Sequence, residues 1–323
     1  MLKVSILVPI YGVEQFIEQC AISLFEQTYA NIEYIFVNDC SKDNSIGVLK
    51  KVINNYPQRK EQIQIIAHEQ NKGLGAARRT ALLKAKGDYI IHVDSDDYIA
   101  SDAVEILVKK VQEAHVDIVD CAFAEVAKGK IVHSKLPFHG TTEAYNALIM
   151  SRSGMVTNHI WGRLIKRSLY EENQILNEEG IDLGEDYSVL PKLLCDGKRC
   201  YVDNILYFYR TDNGTSYMNS CLSTKNIVSC IKAQQSVYDF LMKKNLSSLT
   251  KYSLELGMLN LVMFCRKNQY EYLKSNLYKT IPLDYVDLKV YGKMLKHSSL
   301  HYFNLLIKAF LTRKILRKVE RHG

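Results

Sequence analysis

The first 120 residues alternate short apolar runs with helix-like segments, and this alternation limits the folds available to the chain. Four apolar runs predict strands, namely VSILVPI, IEYIFVND, IQIIA and DYIIHVD. Between the strands, apolar residues recur at helical spacing, as they do from Val13 to Leu24. Strands joined by helices of this length make right-handed crossovers and a parallel sheet covered on both faces. The sequence therefore predicts an α/β fold.

The composition is that of a globular protein, with 47% hydrophobic and 24% charged residues in a chain of 323. VSILVPI resembles the core of a signal peptide, but it is short, lacks a cleavage site and contains Pro9, so a buried strand is favoured. No apolar run approaches the roughly 18 residues of a membrane-spanning helix, so we do not expect an integral membrane protein. The eight scattered cysteines favour reduced thiols in a cytosolic protein. Cys195 and Cys200 are close enough in the chain that a disulfide or a metal site is the alternative.

The net charge of +7 is concentrated at the C-terminal end. Residues 291–323 contain eight Lys or Arg residues and one acid, so the first 290 residues are formally balanced. The absence of net charge over the first 290 residues argues against nucleic-acid binding. The last predicted helix, within residues 300–323, combines apolar and basic residues, which is typical of helices that lie on anionic membranes. The alternative is a helix packed on the rest of the protein with a solvated basic face.

Polar residues follow directly after each predicted strand. They are Tyr11 and Glu14, then Asn38 and Asp39, then Asn71, Lys72 and Gly73, then Asp94, Asp96 and Asp97. In parallel sheets, ligands bind beyond the carboxyl ends of the strands, where these residues would meet. Turn and capping chemistry explains Asn38 and Ser41 without a ligand, but it does not explain three carboxylates in one segment.

That segment, DSDD at residues 94–97, is the candidate metal site. Crowded carboxylates repel one another unless a cation lies among them. Their hard oxygen atoms suit Mn²⁺ or Mg²⁺, which can bridge carboxylates to substrate phosphates. The alternative is a capping cluster for a helix that begins near Asp102. The position after a buried strand favours the metal site.

Three segments together resemble glycosyltransferase family 2, the large inverting group with an A-type nucleotide-sugar-binding fold. They are VSILVPIYGVEQFIEQCAISLFEQTYANIEYIFVNDCSKDNS, NKGLGAARRTAL and GDYIIHVDSDDYI. Their order and spacing match the family over roughly the first 100 residues. The resemblance implies a Rossmann-like sheet flanked by helices, with a C-terminal helical region added here. It also implies a nucleotide-sugar donor, usually a UDP-sugar, and a divalent cation.

The resemblance assigns donor binding to Pro9, Tyr11, Glu14, Asp39, Lys72, Gly73, Arg78, Asp94 and Ser95. Asp39 would hydrogen-bond the base, and Lys72, Gly73 and Arg78 would close around the base and ribose. Asp96 would bind the metal directly, with Asp94 contacting the ribose or the metal shell. Two positions depart from the family. Cys40 stands where many relatives have glycine, which implies a differently shaped turn, and Arg79 stands where they often have asparagine.

Three later segments resemble the acceptor side of the family. NHIWGRLIKRSLYEEN contains Trp161, the only tryptophan, which would cover the apolar face of a sugar or else lie in the core. GEDYSVLPKLL places Glu185 and Asp186 at the family's catalytic acidic pair, with an exposed pair at a helix N-terminus as the alternative. YFYRTDNGTSYM supplies Arg210 and Ser216 as candidate diphosphate contacts, with a structural ion pair as the alternative for Arg210.

These assignments predict inverting transfer of a sugar from a nucleotide-diphosphate donor to a saccharide or lipid-linked acceptor in cell-surface polysaccharide synthesis. Asp186 would be the general base, oriented by Glu185, and metal held at Asp96 would stabilise the leaving group. An inactive nucleotide-sugar-binding protein and a sugar-phosphate nucleotidyltransferase are the alternatives. DSDD and GED together argue against the first, and the missing Gly-rich first loop argues against the second.

The same assignments divide the chain in two. Residues 1–220 would form the catalytic domain, with a nucleotide-binding half at about 1–100 and an acceptor half at about 101–220. Residues 221–323 would form a helical region with the basic tail. We expect a cytoplasmic protein that is peripheral on the inner face of the cell membrane through residues 300–323.

Overall fold

The computed structural model describes residues 1–213 and 224–267. In these ranges the strands are β1 (Val4–Ile10), β2 (Ile32–Asn38), β3 (Ile63–Ala67), β4 (Tyr89–His92), β5 (Tyr98–Ile99), β6 (Ile118–Ala127), β7 (Lys130–Lys135), β8 (Arg163–Lys166) and β9 (Arg199–Arg210). The helices are α1 (Ile17–Phe25), α2 (Ser45–Asn54), α3 (Leu74–Lys84), α4 (Ala103–Ala114), α5 (Thr142–Met150), α6 (Arg167–Glu172), α7 (Glu185–Asp196), α8 (Thr224–Leu241) and α9 (Ser248–Lys267). A 3-10 helix, Pro57–Gln62, precedes β3.

The described strands form one mixed sheet in the order β3-β2-β1-β4-β8-β6-β9-β5, with β7 paired to β6. The half β3-β2-β1-β4 is parallel throughout, and α1, α2 and α3 lie between its strands in the chain. The other half is joined through the antiparallel pair β4–β8, and it mixes parallel and antiparallel pairs. The predicted α/β fold with a helix-flanked, Rossmann-like sheet is therefore confirmed.

Alternate residues of β1 enter two separate cores, because side chains alternate across a strand. Ile6 and Val8 belong to the core that includes α1, α2 and α4. Leu7 belongs to the core on the other face, which includes α3, α5 and α7. All seven residues of β1 are buried, so the apolar run at the N-terminus is a central strand, as predicted. Its far end brings the first loop to the edge where the candidate site lies.

The residues that directly precede α2 and α4 make no side-chain capping hydrogen bonds. α2 begins after Asn44, and the Asn44 side chain makes no capping hydrogen bond. Ser41 and Asp43 lie in the loop before this helix. α4 begins after Asp102, whose side chain also makes no capping bond, and β5 separates α4 from DSDD. The three carboxylates of DSDD are therefore not a helix cap.

The C-terminal described helices pack on the sheet domain. Gly257 of α9 lies so close to α5 that a Cβ there would be 1.9 Å from the carbonyl oxygen of Met150. Cys195 and Cys200 are free thiols. None of the helices within 1–213 and 224–267 is both long and apolar enough to cross a membrane. Ser216 and the basic tail at 300–323 lie outside the described residues.

Candidate functional site

The loops after β1 and β2 are bonded to each other at the carboxyl edge of the sheet. Ser41 Oγ accepts a hydrogen bond from the Gly12 amide at 3.1 Å, and Glu14 Oε2 accepts one from the Asn44 amide at 2.9 Å. The Glu14 carboxylate thus stabilises the start of α2. Tyr11 is 53% exposed, whereas Pro9 is buried within β1. Of these expected pocket residues, Tyr11 and Glu14 are exposed and Pro9 is not.

Asp39 anchors the loop that begins α3. It is 3% exposed, and its two carboxylate oxygens accept from the amides of Lys72 and Gly73, each at 2.8 Å. The His68 ring Nδ1 lies 2.7 Å from Asp39 Oδ1, and Nε2 lies 2.9 Å from Thr80 Oγ1. His68 was not predicted, although it follows β3 at the ligand-binding edge. A hydrogen bond from Asp39 to the base stays a prediction.

Cys40 adopts a φ of 60°, in the left-handed region that glycine favours. The turn after β2 therefore keeps a glycine-like backbone although the side chain is larger. This result differs from the changed turn that the Cys40 departure implied.

Glycines let the segment before α7 pack against the start of α3. Gly73 has a φ of 92°, and a Cβ there would lie 2.1 Å from Asp182 Oδ1. A Cβ on Gly75 would lie 2.7 Å from the carbonyl oxygen of Ile181. Real Cβ atoms do not approach other atoms this closely, so both positions require glycine. This contact joins the loop that begins α3 to the segment that leads into Glu185.

Arg78 forms the centre of a buried charge cluster. Its side chain is 1% exposed, with Nη2 2.8 Å from Asp94 Oδ1 and Nη1 2.9 Å from Glu185 Oε1. Nη1 also donates to Asp186 Oδ1. The structure corrects the expected role of Arg78, because its guanidinium is enclosed by three carboxylates rather than open to a nucleotide. One side chain of α3 thereby ties the loop after β4 to the first turn of α7.

Glu185 and Asp186 are largely buried, at 12% and 16% side-chain exposure, and are not an exposed capping pair. Burial and the Asp186 charge raise the pKa of Glu185 to about 8, against the opposing effect of Arg78. Burial also raises the pKa of Asp186, although Arg78 and the Ile160 amide favour its ionised form. The pKa values of both members of the pair are therefore raised, that of Glu185 to about 8.

Residues of β9 stabilise the DSDD segment through hydrogen bonds. Tyr207 donates its hydroxyl to Asp97 Oδ2 at 2.8 Å and accepts from the Asp94 amide at 3.1 Å. The amide of Arg210 donates to Asp97 Oδ1 at 2.7 Å. Asp97, at 1% exposure, is thus structural, and Tyr207 is a supporting residue that the sequence did not single out. Ser95 is buried beside them at 4% exposure.

Asp94 and Asp96 fit a divalent cation by the chemistry of their oxygens. Burial and the charge of Asp94 raise the pKa of Asp96, so this edge carries negative charge that a cation would offset. Within the described part of the chain, no three His, Cys, Asp or Glu side chains converge on a common metal position. A site with one or two carboxylates completed by substrate phosphates is the mode that Mg²⁺ prefers.

The Arg210 side chain stabilises the DSDD segment by a hydrogen bond to its backbone. Its Nε donates to the carbonyl oxygen of Asp96 at 2.9 Å, and its guanidinium lies 5.0 Å from the ring centre of Phe16. Asn213 donates its side-chain amide to Asp96 Oδ2 at 2.7 Å. The diphosphate contact predicted for Arg210 stays a prediction, as does that of Ser216.

Trp161 is 5% exposed and belongs to an aromatic stack. Its ring lies 4.3 Å from Tyr207 and 3.9 Å from His159, centre to centre. It also lines a small open cavity of about 20 Å³, which has room for about one water molecule. Trp161 therefore belongs to the buried core, which was one of its two predicted roles, and a contact with a sugar stays a prediction.

Residues 5–172 match the family described as Glycosyl transferase family 2. The uncharacterized glycosyltransferase EpsJ of Bacillus subtilis is 32% identical over 213 residues, covering 64% of this chain and 60% of its own. The poly(ribitol-phosphate) beta-glucosyltransferase of Bacillus spizizenii is 30% identical over 245 residues, covering 72% of this chain and 37% of its own. The chain thus spans less than two thirds of either relative.

The fold also matches a solved structure. S. aureus TarS 1-349 in complex with UDP-GlcNAc superposes with a TM-score of 0.68 at 22% identity, over 83% of this chain and 75% of that one. This likeness supports the A-type fold that the sequence predicted. Since the family match covers more than half of the residues, the chain belongs to glycosyl transferase family 2.

Proposed function

We propose that the chain transfers a sugar from a nucleotide-diphosphate donor, a UDP-sugar, to a saccharide or lipid-linked acceptor with inversion, in cell-surface polysaccharide synthesis. Family membership supports sugar transfer, the TarS complex supports a UDP-linked donor, and the name of the B. spizizenii relative, a poly(ribitol-phosphate) beta-glucosyltransferase, supports a polymer as acceptor. The observation that carries the proposal is the Arg78 cluster. One guanidinium joins Asp94, at the donor edge, to the acidic pair of α7.

The donor side would be formed by two loops. Asp39 fixes the amides of Lys72 and Gly73, which shapes the loop that would close on the base and ribose. Asp96, with Asp94, would hold Mn²⁺ or Mg²⁺ against the donor phosphates. A bound cation supplies positive charge that stabilises the diphosphate leaving group.

Asp186 would act on the acceptor side. As the acceptor hydroxyl attacks the anomeric carbon, its proton passes to the Asp186 carboxylate, a step typically worth about 10²–10⁴-fold in rate. Arg78 and the Ile160 amide orient that carboxylate. Glu185, whose pKa is raised to about 8, would keep its proton near neutral pH and leave Asp186 as the ionised member of the pair. A single displacement from the opposite face inverts the anomeric centre.

We also propose that the protein acts at the inner face of the cell membrane. Residues 300–323 combine basic and apolar residues, and a lipid-linked acceptor would be presented at the inner face of the cell membrane. We infer a cytoplasmic protein that binds this surface peripherally.

The test is incubation with a panel of nucleotide sugars and Mn²⁺, with and without saccharide acceptors, followed by measurement of released nucleotide. The proposal predicts release from at least one UDP-sugar, and loss of release with excess EDTA. Tight donor binding without release from any donor or acceptor would instead indicate an inactive binding protein. Formation of a nucleotide sugar from a sugar phosphate would indicate a nucleotidyltransferase.

A further inference from the structure

His68 lies directly after β3, at the carboxyl edge of the sheet. Its backbone amide donates to the Asn38 carbonyl oxygen at 2.9 Å, which continues the pairing of β3 with β2 by one residue. The side chain is 7% exposed, so the imidazole ring is enclosed by the protein. Buried polar groups require hydrogen-bond partners, and both ring nitrogens of His68 have one.

The His68 ring connects the end of β2 to α3. Its Nδ1 lies 2.7 Å from Asp39 Oδ1, and its Nε2 lies 2.9 Å from Thr80 Oγ1. An ionised carboxylate only accepts hydrogen bonds, so Nδ1 carries a proton and donates it to Asp39. With a partner at each nitrogen, the ring has one orientation, and it fixes Asp39 relative to the helix that carries Arg78.

Asp39 transmits this constraint to the loop before α3. Its Oδ1 also accepts from the Lys72 amide, and its Oδ2 accepts from the Gly73 amide, each at 2.8 Å. The last torsion of an aspartate side chain is broad, so the rotation of the carboxylate is set by its partners. The two amides belong to the loop that is to be positioned, whereas His68 belongs to the edge of the sheet. The bond from His68 therefore supplies the fixed reference.

The loop at Lys72 and Gly73 has a backbone that is bonded inward and a side chain that is not. The Lys72 amide is bound to Asp39, while the residue itself is exposed. Gly73 has a φ of 92°, and α3 begins at the next residue. The place from which the Lys72 side chain extends thus depends on Asp39, and through Asp39 on His68.

We propose that His68 is a positioning residue for donor binding, which acts through Asp39 to keep the loop at Lys72 and Gly73 in the shape that receives the donor nucleotide. In this role it needs no contact with the donor. Without His68, the Asp39 carboxylate can rotate, and the loop has to be ordered when the nucleotide binds, at a cost in affinity. This inference rests on the proposed function for the identity of the donor, and UDP binding tests it without any transfer.

Two substitutions of nearly equal shape, His68→Leu and His68→Asn, provide the test. The asparagine amide nitrogen stands at the position of Nδ1 and can donate to Asp39, whereas leucine cannot. The full-length protein is titrated with UDP in the presence of Mn²⁺ by calorimetry. We expect His68→Leu to raise the Kd of UDP by about tenfold and His68→Asn to stay within about threefold of wild type. An unchanged Kd in His68→Leu, or equal weakening in both variants, would overturn the proposal.

The calorimetric stoichiometry separates positioning from a loss of folded protein. A residue that only stabilises the fold changes the fraction of protein that binds, whereas a positioning residue changes Kd. Tyr34→Phe is the matched control, because it removes a buried hydrogen bond in β2, from the Tyr34 hydroxyl to the Leu24 carbonyl oxygen at 2.8 Å. It should lower the stability and leave the Kd of UDP unchanged. A rise in Kd equal to that of His68→Leu would contradict the proposal.

Thr80→Val keeps the test decisive if His68→Leu does not fold. Valine has nearly the shape of threonine but lacks the hydroxyl that meets Nε2, so the ring loses one of its two fixed ends. We expect the Kd of UDP to rise by about threefold in this variant. An unchanged Kd there, with His68→Leu unfolded, would overturn the positioning role and leave His68 as a residue of the fold alone.

The outcomes separate this inference from the proposed function. UDP binding that weakens in His68→Leu and recovers in His68→Asn, without nucleotide release from any UDP-sugar, would support the positioning role and count against transfer. Nucleotide release by wild type, with the same Kd for UDP in wild type and His68→Leu, would support transfer and overturn the positioning role.

Discussion

Glu185 and Asp186 are adjacent buried carboxyl groups, and burial together with the Asp186 charge raises the pKa of Glu185 to about 8. With a pKa of about 8, Glu185 is protonated at pH 7 and ionises above that value. Glu185→Gln imitates the protonated form, so we expect turnover within about threefold of wild type at pH 7. Wild-type turnover should change through pH 8 as a second charge appears beside Asp186, whereas the variant should lack this change. Profiles of kcat against pH for both proteins provide the check, and matching inflections near pH 8 would be inconsistent with this assignment.

The same carboxyl group affects stability. Its pKa is about 8 in the folded protein and near 4.5 when unfolded, so the folded state binds more protons between these values. The contribution of Glu185 to stability therefore falls as pH rises through that window. Glu185→Gln removes the penalty and should be more stable than wild type at pH 9 by about 1–3 kcal/mol, with little difference at pH 4. Denaturant unfolding at both pH values measures this. A variant less stable than wild type at pH 9 would show that the carboxylate is well accommodated.

Asp96 is the carboxylate assigned to the cation. Asp96→Asn retains size and hydrogen bonding but loses the charge, so we expect Mn²⁺-dependent nucleotide release to fall by about 10² or more. The fold should remain, because the pKa of Asp96 is already raised by burial and a neutral side chain suits that environment. Asp102→Asn, which lies beyond β5 and makes no capping bond, is the matched control. Undiminished release by Asp96→Asn, or by wild type in excess EDTA, would exclude a metal-dependent mechanism.

The junction between the start of α3 and the segment before α7 is the element on which the site depends most. A Cβ on Gly75 would lie 2.7 Å from the Ile181 carbonyl oxygen, so Gly75→Ala must separate the two elements. We expect a loss of about 1–3 kcal/mol in the free energy of unfolding, together with weaker donor binding. In Gly47→Ala, the new Cβ meets only the flexible Asn44 side chain, and this change within α2 should stabilise by about 0.5–1 kcal/mol. If both variants behave alike in denaturant unfolding, the junction is not tightly packed.

The parallel half of the sheet could be predicted because its information is local. Each strand is an apolar run, each helix has its own periodicity, and the crossover rule fixes how they connect. The insertion of β8 between β4 and β6 could not be predicted, since it depends on pairings between residues such as Ile90 and Ile165. Short strands of this kind carry too few residues to show a pattern, so tertiary contacts decide their place.

Local sequence patterns also predicted only part of the candidate site. Asp94, Asp96, Glu185 and Asp186 were predicted from motifs, because strand ends and their order along the chain mark the edge of the sheet. The structure adds what joins them. Arg78 lies more than 100 residues from its partners in α7, and no local pattern distinguishes a guanidinium that meets a nucleotide from one that meets carboxylates. The support from Tyr207 to DSDD has the same long-range origin.

At the scale of the whole molecule, the basic tail at 300–323 is predicted to bring the protein to anionic membranes. The full chain should sediment with anionic vesicles and not with neutral ones, and salt should release it, because surface charge attraction is screened. A chain that ends at Ser299 serves as the comparison, provided that its circular dichroism and thermal unfolding match the full protein. Equal sedimentation of the two chains would show that the tail is not the anchor.

In the proposed mechanism, the half that binds the donor and the half that carries the general base meet at Arg78, and Asp186 accepts the proton. Asp186→Asn tests it most directly, because asparagine keeps the size and hydrogen bonding of the side chain but cannot take a proton at neutral pH. Donor affinity by calorimetry and turnover by nucleotide release are measured on the same preparation, beside wild type. The account predicts donor affinity within about threefold of wild type and turnover lower by about 10² or more. Normal turnover in Asp186→Asn would contradict it, and normal turnover there with loss in Glu185→Gln would move the base by one residue.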